Sequence, residues 1–193
     1  MPATIGGLVL AAGRGRRFGS AKQLATYRGR PLLEHALAAM AAASSLADRV
    51  VVLGAHADAI LATIDLHGVR PVLAPDWSEG QSASLRAGVR ALEDHVDAIV
   101  ITLGDQPNIT PQAIDLVVQA RDPQNADAVR ATYAGRPGHP VVMERSLLTS
   151  AMSLHGDQGA RELLSATRLR LIPCDGHGDD TDIDLRRQIN TGA

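Results

Sequence analysis

The sequence of 193 residues contains a single cysteine and only four aromatic residues of the Phe, Tyr and Trp type. The lone cysteine, Cys174, excludes a disulfide framework and a four-thiolate zinc site, and we expect it to pack as a small core residue. So few aromatic side chains argue against a platform that stacks single-stranded nucleic acid. No apolar run approaches the ~20 residues that span a bilayer, and no basic segment precedes the N-terminal apolar stretch, as a secretory signal requires. We therefore expect a cytoplasmic protein that binds neither nucleic acid nor membrane.

The net charge of −2 shows no overall basic excess, but two segments are strongly one-signed. They are either solvated surface segments, or a polyanion binds beside the basic one and a cation beside the acidic one. Residues 1–30 contain no acidic residue and six basic ones, Arg14, Arg16, Arg17, Lys22, Arg28 and Arg30. Residues 175–184 contain no lysine or arginine and five acidic residues, Asp175, Asp179, Asp180, Asp182 and Asp184.

Short apolar runs alternate with segments of helical periodicity, and this alternation predicts the fold. Strands separated by single helices imply parallel crossovers. We therefore predict an α/β fold with a doubly wound, mostly parallel sheet, and one domain over residues 1–193. The predicted strands are 5–11, 49–53, 70–74, 97–103, 128–133, 140–143 and 169–173. The predicted helices are 32–46 with Pro31 as the first helical residue, 57–66, 82–92, 111–120 after an N-cap at Thr110, and 159–166.

A glycine-rich turn follows the first predicted strand, in the segment LVLAAGRGRRFGSAK at residues 8–22. Glycine lets a backbone approach a ligand closely and adopt positive φ, and successive amides in such a turn can form a nest for an anion. Arg17 and Lys22 can neutralise phosphate oxygens, Arg17 through a fork of donors and Lys22 as a point charge. A tight turn with solvated arginines is the alternative, but the spaced arginine and lysine favour phosphate binding.

Two common phosphate-binding patterns do not fit this turn. The dinucleotide fingerprint requires a third glycine where Phe18 stands, and the acidic residue expected after the second strand is missing from Leu-Gly-Ala-His at 53–56. This argues against a dinucleotide-dependent oxidoreductase. The P-loop requires Ser or Thr after its lysine, whereas Gln23 follows Lys22.

The pattern that remains is G-x-G-x-R-x4-K, and it resembles the signature L-x-[AG]-G-x-G-x-R-x4-K-x-L of the MobA-like nucleotidyltransferases. Ala12 stands where the guanylyltransferase branch typically has a second glycine, so the cytidylyltransferase branch is the more similar one. Four further segments are similar to this branch and extend the resemblance over residues 8–184, namely 84–88, 103–107, 156–161 and 182–184. The signature itself is met by Leu10, Ala12, Gly13, Gly15, Arg17, Lys22 and Leu24.

The resemblance implies an enzyme that transfers CMP from CTP to the phosphate of molybdopterin carrying molybdenum, and releases pyrophosphate. The alternatives are a GTP-using guanylyltransferase, a transferase that makes a sugar or alcohol nucleotide, and a non-catalytic molybdopterin-cofactor chaperone. A molybdoenzyme client is a further implied partner.

The acidic residue Asp105 follows a predicted strand at its carboxyl end, on the sheet edge where ligands of open α/β folds bind. Mg²⁺ takes one or two carboxylates together with substrate phosphates, although Asp105 could instead cap a Gly-Asp-Gln-Pro turn. By resemblance, Asp105 and Asp184 hold Mg²⁺, with Mn²⁺ as the alternative. One departure from the family pattern lies at residues 185–188, where Leu-Arg-Arg-Gln replaces Thr-x-x-Asp.

The resemblance also assigns roles to individual residues, although Gly80, Ser82 and Ser84 could cap a helix, and Asp157 and Arg161 could form an ion pair. The implied catalytic residues are Arg17, Lys22 and Asp105. The implied nucleotide-binding residues are Leu10, Ala11, Ala12, Gly13, Gly15, Arg17, Lys22, Gly80, Ser82, Ser84 and Asp105. The implied acceptor-binding residues are Gly138, His139, Asp157 and Arg161.

Overall fold

The computed structural model describes residues 3–15 and 17–190. Strands and helices are numbered here in chain order. The strands are β1 (Ile5–Ala11), β2 (Thr26–Tyr27), β3 (Arg30–Pro31), β4 (Asp48–Leu53), β5 (Arg70–Leu73), β6 (Ala98–Leu103), β7 (Ala128–Tyr133), β8 (Arg136–Glu144) and β9 (Leu169–Pro173). The helices are α1 (Leu32–Ala42), α2 (Ala57–Thr63), α3 (Gln81–Leu92), α4 (Pro111–Gln119), α5 (Arg145–Ala151), α6 (Ala160–Leu164) and α7 (Arg186–Asn190), with 3₁₀ turns at Lys22–Leu24 and Trp77–Glu79.

Seven strands form one sheet in the order β5-β4-β1-β6-β8-β7-β9, while β2 and β3 form a small hairpin beside it. Strand β8 is antiparallel to both of its neighbours, and the other pairings in the sheet are parallel. The prediction of a single-domain, mostly parallel α/β fold is therefore confirmed. Because β8 runs against the others, it begins at the edge where β1, β6, β7 and β9 end.

Helices cover both faces of the sheet, and β1 is buried on each side. Val9 lies in a core cluster with Leu37 of α1 and Ile114 of α4. Its neighbour Leu8 points to the other face and lies in a second cluster with Leu85 of α3. This two-sided burial explains why the central strands are continuous apolar runs. Within the described residues, none of the helices is both long and apolar enough to cross a bilayer.

The predicted start of α4 is confirmed, because the Thr110 hydroxyl accepts a hydrogen bond from the Ala113 amide at 3.2 Å and Pro111 is the first helical residue. The prediction for Pro31 was wrong. Pro31 belongs to β3, and α1 begins one residue later at Leu32.

Helix α1 also ends earlier than predicted, at Ala42 instead of residue 46. Ala43 leaves the helical region with φ −65° and ψ 126°. The Asp115 carboxylate then accepts hydrogen bonds from the amides and hydroxyls of Ser44 and Ser45, over 2.6 to 3.1 Å. These side-chain bonds compete with helix continuation and fix the turn instead.

The segment after residue 127 departs most from the sequence prediction. Strand β8 begins at Arg136, four residues before the predicted start, because Arg136 and Pro137 pair with Tyr133 and Thr132 across a tight turn. Helix α5 was not predicted, α2 ends at Thr63 before the predicted residue 66, and α6 ends at Leu164 before the predicted residue 166.

Candidate active site

The turn after β1 is organised by one glycine and one buried glutamine. Gly15 adopts φ +65°, and a Cβ there would lie 2.8 Å from the Ser20 carbonyl oxygen, so the turn requires glycine at this position. Gly13 has no such angle and open space around it. The Gln23 amide group, from a side chain only 6% exposed, donates to the carbonyls of Ala11 at 2.9 Å and Gly13 at 2.8 Å. Sequence reasoning missed Gln23, which fixes the entry to the turn.

The other residues before the turn are held by backbone hydrogen bonds at the same sheet edge. The Leu10 carbonyl accepts from the Gly104 amide at 2.9 Å, and the Ala12 carbonyl accepts from the Ala55 amide at 3.1 Å. The predicted nucleotide-binding residues 10–13 and Gly15 therefore lie beside the ends of β4 and β6, and the Gly104 amide brings Asp105 next to them.

Lys22 joins the two carboxylates that the sequence assigned to a metal ion. Its Nζ donates to Asp105 Oδ2 at 2.7 Å and to Asp184 Oδ1 at 3.0 Å, and the Lys22 side chain is only 12% exposed. The exposed Arg17 guanidinium donates to the other oxygen of Asp184 at 2.9 Å. The structure thus brings together Arg17, Lys22, Asp105 and Asp184, although 79 residues separate the two aspartates in the chain.

These contacts shift the pKa values of the charged groups. Burial of Lys22 disfavours its charge, but the attraction of Asp105 and Asp184 outweighs burial and raises the pKa of Lys22. The hydrogen bond from Lys22, together with the charges of Lys22 and Arg17, lowers the pKa of Asp184 against the effect of its burial. Burial and the negative charge of Asp105 raise the pKa of Asp182. At neutral pH, a charged Lys22 therefore lies beside an ionised Asp184.

The segment that carries Asp184 is anchored by Ile183. Its side chain is 3% exposed and lies in a small cluster with Phe18, Tyr27 and Leu32. Its amide donates to the Asp105 carbonyl at 3.0 Å. The end of β6 and the C-terminal segment are thereby fixed to each other, and this contact sets the distance between the Asp105 and Asp184 carboxylates.

Gln188 stands where the family pattern expects its final aspartate. Its side-chain oxygen accepts from the amides of Asp184 at 2.8 Å and Leu185 at 2.6 Å, just before α7. Its amide group donates to the Asp182 carbonyl at 2.9 Å. An amide oxygen can accept the same backbone donors as a carboxylate, so Gln188 can supply the acceptor that an aspartate would supply at this position.

The loop before α3 packs against the loop before α6. Ser82 is fully buried, and both its amide and its hydroxyl donate to the Gly156 carbonyl, at 3.1 and 2.8 Å. Of the three residues considered as caps, Gly80 occupies the cap position of α3 without a side-chain cap, whereas Ser82 and Ser84 lie inside the helix and do not cap it. Ser84 is 8% exposed and lies in the first turn of α3.

On the predicted acceptor side, Gly138 and His139 lie in β8 at the same sheet edge. A Cβ at Gly138 would overlap the Asp180 carboxylate, so the absence of a side chain lets the C-terminal segment approach β8. Burial, together with the charge of Arg130, lowers the pKa of His139 to about 4, so this imidazole is neutral at pH 7. Arg130 itself donates to the Gly138 carbonyl at 2.9 Å.

Asp157 and Arg161 are exposed, and the ion pair considered for them does not form among the described residues. Asp157 precedes α6, so the two residues do not share a helical face. Glu162 instead accepts a hydrogen bond from the Gly159 amide at 2.7 Å and caps α6. The structure places Asp157 in the loop beside Gly80 and Arg161 in the first turn of α6.

The oppositely charged terminal segments contact each other. Arg17 and Lys22 pair with Asp184, while Asn108 bridges the hairpin to the acidic segment by accepting from Tyr27 and donating to Asp179. Several residues of this acidic segment therefore bind to the rest of the fold, although residues 175–178 are exposed. Asp175 accepts from the Ala134 amide at 2.8 Å, and the Asp180 carbonyl accepts from Gln106 at 3.1 Å. Arg16 of the basic segment lies outside the described residues. The thiol of Cys174 is fully buried, as expected.

The donor set fits a divalent cation. Asp105 and Asp184 both direct an oxygen at one point, where the Lys22 ammonium now provides positive charge. Within residues 3–15 and 17–190, no group of three or more His, Cys, Asp or Glu side chains could hold a metal ion. Two carboxylates are the number that Mg²⁺ uses when substrate phosphates and water complete its coordination.

The chain is similar to known proteins in sequence and in fold. A family model described as the MobA-like NTP transferase domain matches residues 7–171. A nicotine blue oxidoreductase of Paenarthrobacter nicotinovorans is 32% identical over 192 residues, covering 95% of this chain and 93% of that protein. A 2-C-methyl-D-erythritol 4-phosphate cytidylyltransferase of Psychrobacter cryohalolentis is 32% identical over 131 residues, which cover 65% of this chain and 46% of that protein.

Among solved structures, Rv0371c of Mycobacterium tuberculosis is 31% identical with a TM-score of 0.86, and the match covers 98% of both chains. A structure of Rv0371c in complex with manganese is 28% identical with a TM-score of 0.82, covering 98% of this chain and 100% of that chain.

Proposed function

Because the chain belongs to the MobA-like NTP transferase family and is a nucleotidyltransferase, we propose that it transfers CMP from CTP to the phosphate of a molybdopterin that carries molybdenum. The convergence of Lys22, Asp105 and Asp184 at the sheet edge carries this proposal, because nucleotidyl transfer requires cations for phosphates and carboxylates for a metal ion. The choice of CTP rests on Ala12 and on the similarity to a cytidylyltransferase over 131 residues. The choice of acceptor rests on the segments at 156–161 and 182–184.

In the proposed reaction, an oxygen of the acceptor phosphate attacks the α-phosphorus of the nucleotide in line. The bond between the α-phosphorus and the bridging oxygen breaks, and that oxygen leaves with pyrophosphate. No protein nucleophile is needed, since catalysis of phosphorus transfer consists mainly of positioning and charge neutralisation.

In this proposal, backbone amides and cationic side chains bind the phosphates, and anionic side chains bind the metal ion. The backbone of Gly13–Gly15 cradles phosphate oxygens, and Arg17 and Lys22 neutralise the β- and γ-phosphates as pyrophosphate leaves. Asp105 and Asp184 hold the divalent ion, Mg²⁺ or Mn²⁺, which when bound supplies Lewis-acid polarisation of the α-phosphate. Similarity to a protein solved with manganese supports a divalent ion.

The two loops joined by Ser82 and Gly156 separate the substrates. Gly80, Ser82 and Ser84 lie on the nucleotide side by resemblance, and Gly138, His139, Asp157 and Arg161 on the acceptor side. The direct contact between the loops gives a physical reason for substrate placement to be coupled across them.

Pyrophosphate release with each of the four ribonucleoside triphosphates tests the proposal, in the presence of Mg²⁺ or Mn²⁺ and of molybdopterin with or without molybdenum. Release with CTP alone, dependent on the pterin, is the expected result. Release with GTP instead indicates the guanylyltransferase reaction. Absence of release with every triphosphate, despite binding of the pterin, overturns the catalytic proposal in favour of a cofactor chaperone.

One relative carries an oxidoreductase name and is similar over 95% of this chain, so reduction by a pyridine nucleotide is the second candidate. The chain lacks the third glycine of the dinucleotide fingerprint, and β4 is followed by Gly54 and His56 without an acidic residue between Leu53 and Ala57. Oxidation of NADH or NADPH, measured with a redox dye as acceptor, distinguishes this activity from nucleotidyl transfer.

A further inference from the structure

The Lys22 ammonium occupies the position that a metal ion would need. Its Nζ lies within 3.0 Å of both carboxylates, so it satisfies Asp105 and Asp184 together. The side chain is only 12% exposed, which reduces screening of these interactions by water. Arg17 completes the neutralisation by pairing with the second oxygen of Asp184. In this arrangement, two aspartates already have two cationic partners.

A free divalent ion meets an obstacle at this site. To reach Asp105 and Asp184, it must break both hydrogen bonds of Lys22, and it leaves the ammonium next to a new double positive charge. Nothing in that exchange provides Lys22 with a new anionic partner, and a partly buried charge without a partner is costly. The free ion is therefore a poor competitor for its own ligands.

A metal ion that arrives with a triphosphate avoids this cost. The phosphate oxygens offer Lys22 and Arg17 new anionic partners while the metal takes over the carboxylates. A lysine suits such an exchange, because its flexible four-carbon stem carries a compact charge whose three donors reorient easily.

From these contacts we propose that Lys22 makes the site selective for a metal–triphosphate complex over the free divalent ion. Its ammonium stands between Asp105 and Asp184 while nucleotide is absent, and it transfers to phosphate oxygens when the complex binds. This inference rests on the proposed nucleotidyl transfer, since it assumes a triphosphate at the same edge.

Mn²⁺ binding to the full chain without nucleotide, followed by electron paramagnetic resonance, tests the inference independently of turnover. We expect weak binding to the wild type and binding about tenfold or more tighter to Lys22→Met, which keeps the stem and removes the competing charge. Lys22→Arg keeps a cation, so its Mn²⁺ binding should stay weak. Arg14→Met is the matched control, because Arg14 stacks on Trp77 and does not contact these carboxylates, and it should bind like the wild type.

When the same titration is repeated with a non-hydrolysable CTP analogue, the analogue should increase the Mn²⁺ affinity of the wild type far more than that of Lys22→Met. Equal affinity of wild type and folded Lys22→Met for free Mn²⁺ would overturn the inference, as would tight binding to Lys22→Arg. Pyrophosphate release by the wild type is scored separately. Release with an unchanged Mn²⁺ affinity in Lys22→Met therefore rejects this inference while leaving the proposed function standing.

Discussion

The amide and the hydroxyl of Ser82 both donate to the carbonyl oxygen of Gly156, at 3.1 and 2.8 Å. Arg86, one turn further along α3, donates to the Ser82 hydroxyl at 3.0 Å and also to the Leu154 carbonyl. This buried network joins the loop before α3 to the loop before α6. The loop before α3 and the loop before α6, which each carry candidate substrate-binding residues, are thus in direct contact.

Substitution of Gly80 should disturb that contact. Gly80 has φ +125°, and a Cβ there would overlap the Gly156 carbonyl group, so Gly80→Ala combines backbone strain with a steric clash. We expect the KM for the nucleotide to rise and kcat to fall in steady-state kinetics. Gly135→Ala is the control, because Gly135 also has positive φ, +74°, but open space around it. Equal kinetic losses in both variants would contradict the contact argument.

Asp105→Asn should remove turnover while the fold remains intact. Loss of a carboxylate that would hold the divalent ion weakens the stabilisation of the developing phosphate charge, and we expect a loss of about a hundredfold or more in rate. Pyrophosphate release measures the activity, and circular dichroism checks the fold. Asp94→Asn, in the turn after α3, is the control and should retain full activity. Wild-type turnover in Asp105→Asn would exclude Asp105 as a metal ligand.

The sequence predicted the fold best where local and tertiary requirements agree. The range of β1 (Ile5–Ala11) matches the prediction residue for residue, because β1 is an apolar run that helices cover on both faces. The range of β7 (Ala128–Tyr133) also matches, although this strand contains Arg130 and Thr132. The start of β8 was missed, since Arg136, Pro137 and Gly138 are turn-forming types whose strand conformation depends on pairing with Thr132 and Tyr133. The sequence of a short segment does not show which strand will pair with it after folding.

The candidate site shows the same division. Charged residues in spaced motifs, such as Lys22 and Asp105, were identified because their chemistry is evident from residue type. The glutamines that position them, Gln23, Gln106 and Gln188, were not, since an amide side chain acquires a role only from the groups that folding brings beside it. Gln106, for example, donates to the Asp182 carboxylate at 3.0 Å across 76 positions of sequence.

Removal of one partner of the buried Arg121–Glu144 ion pair should strongly destabilise the protein. The guanidinium donates twice to the carboxylate, at 2.8 and 2.6 Å, and the side chains are only 10% and 8% exposed. Glu144→Gln leaves Arg121 without a charged partner, and we expect the free energy of unfolding to fall by about 3–5 kcal/mol in urea titrations.

Two further variants separate the effect of burying an ion pair from the effect of forming it. In Glu79→Gln the affected pair with Arg86 is at 3.3 Å and the Glu79 side chain is 59% exposed, so the loss should stay below about 1 kcal/mol. The double variant Arg121→Met/Glu144→Met should recover most of the stability lost in Glu144→Gln. A loss in Glu144→Gln no larger than in Glu79→Gln would show that burial does not govern the cost.

The half-buried imidazole of His139 should make the protein less stable as the pH falls from about 6.5 to about 4. Burial and the charge of Arg130 lower its folded-state pKa from 6.5 to about 4, so within this window the unfolded chain binds a proton that the folded chain does not. Proton uptake therefore favours unfolding, and the free energy of unfolding should decline by roughly 1–3 kcal/mol from this group. His139→Gln should lose that part of the decline in urea titrations at pH 7, 5.5 and 4, whereas His155→Gln, at an exposed side chain, should decline like the wild type. An identical decline in His139→Gln and the wild type would mean that His139 accepts its proton equally well in the folded protein, and that the edge of β8 beside Arg130 is open to water.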